Sequence, residues 1–186
     1  MQQRKAGPAD GIDGLPERAD LLFDAHAVAG AIDRLAVQIS VSLAERNPIL
    51  MCVLHGGLPF TGELMKRLHF PLELGFLQVS RYADATVGGQ LHWLAEPSVN
   101  VAGRTVLIVD DVLDEGKTLN AIHQRLLDLG AEDVLSAVLV DKKVPGRDTV
   151  ADFTGLNCPD RYLFGCGMDY QGYWRNLPSI YAMSDR

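Results

Sequence analysis

Cysteine is scarce in this chain. Only Cys52, Cys158 and Cys166 occur in 186 residues, and three cannot all pair within one chain. The N-terminal Met-Gln-Gln-Arg-Lys-Ala-Gly-Pro carries charge but no apolar core follows it, so it does not read as a signal peptide. Reduced thiols in the cytoplasm are the natural reading. Cys-x-x-Cys and His-x-x-x-His spacings are missing, which removes the usual zinc signatures. Long hydrophobic runs are missing too. The longest are strand-sized, so no membrane span is indicated. Basic charge is short, with 17 Lys and Arg against 24 Asp and Glu and a formal net charge of −7. A general nucleic-acid binder needs a basic surface, so that class is disfavoured. A phosphate pocket is not, because a few backbone amides and one or two cations suffice locally. Repeats and low-complexity segments are also lacking.

What is there suits one domain with a real core: hydrophobic content is 47% and charged content 22%. Residues 1–20 are rich in Gly, Pro and charge and read as a loose arm. Ile32, Leu35, Ile39 and Leu43 recur at helical spacing, which predicts a helix over 25–46. Asn47-Pro48 breaks it. Ile49–Leu54 is a continuous apolar run that suits a strand buried on both faces. A helix over 58–68 and a strand over 71–80 follow. Residues 81–103 are polar and hold no period, as in a functional loop or small hairpin. Thr105–Val109 reads as a strand, Leu119 to Leu129 as a helix with Gly130 at its C-cap, and Val134–Val140 as another buried strand. Tyr162–Phe164 is a short candidate strand. The order predicts a mostly parallel α/β sheet, whose ligands bind at the carboxyl ends of the strands.

One such end carries the strongest signal: Val106-Leu-Ile-Val-Asp110-Asp111-Val-Leu-Asp114-Glu115-Gly116-Lys117-Thr118-Leu119. A loop feeding a helix offers unpaired N–H groups and the positive end of the helix dipole. Gly116 lets the backbone approach an anion, and Thr118 adds a hydroxyl. A Walker loop is excluded, because Asp111 stands where its first glycine would be. Adjacent carboxylates repel, so Asp110 and Asp111 favour a cation or sugar hydroxyls between them. The structural alternatives are a well-capped helix start and two solvated turn aspartates.

This stretch resembles the phosphoribosyl-pyrophosphate (PRPP) signature of the type I phosphoribosyltransferases. The resemblance implies that fold: a central, mostly parallel sheet flanked by helices, with a small hood from the N- and C-terminal segments. It implies that Asp110 and Asp111 hold ribose hydroxyls and Mg2+, and that Asp114, Glu115, Gly116, Lys117 and Thr118 hold the 5′-phosphate. Leu54-His55-Gly56-Gly57 resembles the pyrophosphate loop of the hypoxanthine-guanine members, where the first peptide bond is often cis. Ser80-Arg81-Tyr82 resembles the start of their mobile loop, here 80–103, which closes over PRPP and excludes water. Val138-Leu-Val-Asp-Lys142 resembles the strand that presents a lysine to the purine's exocyclic oxygen. The run from Pro159 to Leu177 resembles the base pocket. There Arg161, Tyr162 and Leu163 would meet the purine, Asp169 would meet both purine and magnesium, and Arg175 would reach pyrophosphate.

The implied enzyme serves purine salvage. It takes PRPP and a 6-oxopurine base, hypoxanthine or guanine, with Asp114 handling the N7 proton as catalytic residue. Neither nucleic acid nor membrane is an expected partner, and relatives are homodimers or homotetramers. The alternatives are another base, xanthine or adenine first, and a regulator that uses the fold to bind nucleic acid. Three residues depart from the pattern. Glu115 replaces a threonine, so its side chain should turn away from phosphate. His55 stands where many members carry lysine, and Asp110 where many carry glutamate.

Overall fold

The computed structural model describes residues 18–81 and 91–184. In chain order its elements are β1 (Ala19–Phe23), α1 (Ala25–Leu43), β2 (Ile49–Leu54), α2 (Gly57–Met65), β3 (Glu73–Arg81), β4 (Leu91–Ala95), β5 (Thr105–Leu113), α3 (Lys117–Asp128), β6 (Asp133–Lys142), β7 (Phe153–Cys158), β8 (Leu163–Phe164) and β9 (Ile180–Met183).

Strands of the main sheet run in the order β4-β3-β2-β5-β6-β7, all pairs parallel except the β3–β4 hairpin. The apolar runs in β2, β5 and β6 are buried on both faces because helices cover both. Val28, Ile32, Leu35, Ile39 and Leu43 of α1 pack with Phe60 and Leu64 of α2 against Leu50, Leu107 and Leu139. On the other face Leu119, Ile122 and Leu126 of α3 meet Met51, Ile108 and Val138. Each such aliphatic side chain, fully buried, contributes roughly 1.5–3 kcal/mol. Asp24 caps α1 by accepting a 2.7 Å bond from the Ala27 N–H. Gly130, at φ +88°, ends α3 as expected.

β1, β9 and β8 form a separate antiparallel sheet, the hood implied by the resemblance. Its Leu163, Ile180 and Ala182 pack on the α1 side of the core. Among the described residues no helix is long and apolar enough to cross a membrane.

The structure corrects several boundaries. β5 continues four residues past Val109, because Val112 and Leu113 go on pairing with Val140 and Asp141. Asp110 and Asp111 therefore lie inside the strand. The expected loose arm ends earlier, since Ala19 and Asp20 pair with Met183 and Ala182; residues 1–17 lie outside the described residues. The segment 81–103 contains β4, which pairs antiparallel with β3 as in a hairpin, while residues 82–90, Tyr82 among them, lie outside the described residues. β7 and β9 were not foreseen. β7 carries Gly155 and Asn157, poor strand formers, yet Gly155 is needed: a Cβ there would stand 2.8 Å from the Leu139 carbonyl oxygen and 3.0 Å from Leu35.

Candidate active site

Asp110 and Asp111 lie side by side near the end of β5, and their carboxyls share a hydrogen bond. The Asp111 N–H donates to Asp110 Oδ1 at 2.9 Å. Burial and the adjacent charge of Asp111 push the Asp110 carboxyl well above the usual carboxylate range. Burial pushes Asp111 up as well, against the downward pull of its hydrogen bond with Asp110 and of the Arg175 guanidinium. Two buried carboxylates of raised pKa mark a place where a cation is welcome.

Asp111 presses on the loop that follows β2. A Cβ on Gly56 would stand 2.1 Å from Asp111 Oδ2. The Leu54–His55 peptide bond just before is cis, as expected. The Gly56 carbonyl oxygen in turn lies against Gly167, where a Cβ would come within 1.9 Å. Segments 54–57, 110–111 and 165–168 thus meet at one point, through the Asp111 carboxylate against Gly56 and the Gly56 carbonyl against Gly167.

Beyond β5, Asp114 is half-buried and Glu115 is exposed. Glu115 turns outward and pairs with Lys117 at 3.2 Å, an exposed pair of small energetic weight. Gly116, at φ +80°, makes the turn into α3, a conformation that favours glycine. A cleft of about 220 Å³ opens here, lined by Asp110, Asp111, Asp114, Gly116 and Thr118 among others. It stands at a helix N-terminus and suits a phosphate.

A second cleft of about 200 Å³ adjoins it and shares Asp111, Val112 and Asp114. Its remaining lining is Lys142, Tyr162, Leu163, Met168, Asp169 and Arg175. Lys142, at the end of β6, is buried, and its Nζ reaches Asp114 at 3.0 Å and Asp160 at 3.3 Å. Burial alone would lower its pKa; hydrogen bonds to the two carboxylates outweigh that and raise it. Tyr162 is 53% exposed, with its hydroxyl donating to the Asp169 carbonyl oxygen at 2.9 Å. An aromatic face anchored at its far end suits a flat heterocycle. Arg175 donates to Asp169 Oδ1 and to the Gly167 carbonyl, both at 2.6 Å. Asp169 Oδ2 accepts from the Gly172 N–H at 2.7 Å.

The phosphoribosyl transferase domain family matches residues 19–171 of this chain. A hypoxanthine-guanine phosphoribosyltransferase of Streptococcus thermophilus is 33% identical over 168 residues, covering 89% of this chain and 93% of its own length. The chain belongs to the hypoxanthine-guanine phosphoribosyltransferase family. Solved structures agree. A hypoxanthine phosphoribosyltransferase from Staphylococcus aureus superposes with a TM-score of 0.82 at 26% identity, covering 89% of this chain and 91% of that one. A hypoxanthine-guanine phosphoribosyltransferase from Bacillus anthracis gives 0.82 at 27% identity, covering 89% and 98%.

As a phosphoribosyltransferase of this family, the chain brings many of the expected residues to the two clefts. Among the described residues, Leu54, His55, Gly56, Gly57, Ser80, Glu115, Lys117 and Arg161 line neither cleft. Arg161 donates to the Met183 carbonyl and pairs with Asp20, tying β1 to the hood, and does not line either cleft. Ser80 and the Arg81 backbone pair with His92 and Leu91 in the hairpin. Among the described residues, no three metal-ligating side chains cluster. Asp110 and Asp111 still offer hard oxygen donors in a negative environment. Mg2+ commonly takes one or two carboxylates and completes its shell with substrate oxygens and water, so the pair fits a substrate-shared magnesium.

Two contributors escaped the sequence. Asp160, the second partner of Lys142, was given no role in the Pro159–Leu177 run. Arg147, in Val-Pro-Gly-Arg-Asp, was not singled out; its side chain is buried, only 8% exposed. No periodicity or motif marks either one.

Proposed function

We propose that this phosphoribosyltransferase serves purine salvage, transferring the 5-phosphoribosyl group of PRPP to hypoxanthine, guanine or both. The products are IMP or GMP and pyrophosphate. The observation that carries the reading is the pair of clefts joined at Asp111 and Asp114. One sits at a helix N-terminus; the other offers an aromatic face and a buried lysine.

In this reading the N–H groups of the loop 114–118 and the Thr118 hydroxyl hold the 5′-phosphate. Asp110 and Asp111 hold the ribose hydroxyls and Mg2+, with Asp169 facing them from across the base cleft. Segment 54–57 and Arg175 receive the pyrophosphate. Tyr162 stacks on the purine, Lys142 donates to its exocyclic oxygen, and Leu163 meets its edge through backbone groups. Purine N9 then bonds to the ribose anomeric carbon as the bond to pyrophosphate breaks. Asp114 takes the N7 proton, and its charge also suits the cationic sugar of the transition state. Magnesium held by Asp110 and Asp111 would supply charge neutralisation for the departing pyrophosphate. The reading includes one domain over residues 1–186, a cytoplasmic location and a homodimer or homotetramer.

The test is a panel of bases incubated with PRPP and Mg2+, with pyrophosphate release measured. Release with hypoxanthine or guanine is expected. Release only with adenine or xanthine would reassign the base. Nucleic-acid binding without base-dependent release would reverse the reading in favour of a regulator.

A further inference from the structure

We infer that Arg147 is a positioning residue that fixes the separation between Asp114 and Lys142; the inference rests on the roles proposed above for those two side chains. β5 ends at Leu113 and β6 at Lys142. Past those points no ladder holds the two chain ends together, and their carbonyls need donors. Arg147 supplies them. Its Nη1 donates to the carbonyl oxygens of Leu113 (3.1 Å), Asp114 (2.9 Å) and Lys142 (2.7 Å). Its Nε donates to the Thr149 carbonyl at 2.8 Å, and its Nη2 pairs with Asp141, the residue before Lys142. One guanidinium therefore binds the first residue of the phosphate loop and the base-facing lysine through their main chains. The two side chains it spaces are in contact at 3.0 Å.

The same turn also touches the phosphate loop. The Thr149 side chain lies where a Cβ on Gly116 would stand, 2.4 Å away, and its hydroxyl accepts from Asn120 of α3 at 2.7 Å. Residues 147–149 thus form a strap that ties the loop 113–116 to the end of β6. Only arginine can do this. A lysine would keep the charge opposite Asp141 but has one donor atom, which cannot reach carbonyls spread along a fork.

The expected result for Arg147→Lys is a folded protein whose kcat/KM for the base falls roughly ten- to hundredfold, as a displacement near 1 Å implies. Amide exchange should rise in 113–118 and 142–149 together. A variant with wild-type kcat/KM, or with faster exchange in 142–149 alone, would show that Arg147 merely closes its own turn. Should Arg147→Lys not fold, the wild-type protein still decides. If the strap is real, the two segments open as one unit and their exchange responds in parallel to added denaturant; independent opening overturns the inference. Exchange needs no substrate, so its outcome stays separate from failure of the base panel.

Discussion

Replacing Gly56 by alanine adds one methyl group at the point where segments 54–57, 110–111 and 165–168 meet. The backbone there is ordinary, with φ −62° and ψ −44°, so alanine introduces no backbone strain. The obstacle is the Asp111 carboxylate. The new Cβ would lie 2.1 Å from Oδ2 and 2.6 Å from Cγ, so Asp111 must retreat by about 1 Å to reach 3.0 Å. Asp111 is only 8% exposed and has little room. Forcing it off its rotamer and crowding its neighbours costs about 1–3 kcal/mol. In a chain of this size each 1 kcal/mol lowers Tm by roughly 2–4 °C. The catalytic effect should be larger, because a displacement near 1 Å in a positioned group costs on the order of 100-fold.

Gly62 supplies the control. It lies on the same helix, and a Cβ there would meet nothing within 4 Å. Gly62→Ala should leave kcat/KM unchanged and stabilise by up to about 1 kcal/mol through helix propensity. The assay is steady-state kinetics at varied PRPP and Mg2+, beside thermal melts of both variants. A Gly56→Ala protein with wild-type kcat/KM for PRPP would refute the reasoning, because Asp111 could then move without consequence.

Asp114→Asn should lower kcat by ~10²-fold or more if Asp114 takes the N7 proton, and a near-native rate would rule that role out. Glu115→Thr should tighten PRPP binding by up to roughly tenfold. Since Glu115 already points outward, the gain would come from a new hydroxyl bond to phosphate; unchanged affinity, read by titration calorimetry, counts against it. Asp141→Asn tests the buried pair under the strap. Burial alone would raise the Asp141 carboxyl, but hydrogen bonds from Lys143 and Arg147 outweigh it and hold it below the usual range. A depressed carboxylate stabilises fully above its unfolded pKa of about 3.9 and loses that contribution as pH falls through the folded value. Asp141→Asn should therefore cost about 3–5 kcal/mol at pH 7, because Arg147 is left buried and unpaired. The gap to wild type should narrow below about pH 4. Urea unfolding across pH checks this, and a gap that stays constant on acidification would sink the account.

The reach of the sequence followed the reach of its local signals. α1 and α3 were visible because their apolar faces repeat at helical spacing and each pays out onto one side of the sheet. β2 and β6 were visible because strands buried on both faces leave unbroken apolar runs. β7 was not, because its Gly155 answers to Leu139 and Leu35, residues far away in the chain. The end of β5 was misread for a related reason. Two adjacent aspartates look like the close of a strand, and only the partner β6 keeps that strand going. Carboxylates, glycines and the Lys142 position were legible as types. Arg147 and Asp160 were not, since their meaning lies in what folds against them.

That misreading bears on the chemistry. Inside β5, the pairing of Asp110 with Val138 and of Val112 with Val140 holds the backbone on either side of Asp111. The two carboxyls meet through a side-chain hydrogen bond, and both line the cleft at the α3 N-terminus. Asp110 lines only that cleft, while Asp111 lines both clefts. A ligand in the first cleft can therefore touch both carboxylates and reach the second cleft past Asp111. Asp114, one residue past the strand, is free of the pleat and turns to Lys142. Two acids held in the strand and a third beyond it are the arrangement that the proposed roles require, a sugar at Asp110 and Asp111 and a base at Asp114.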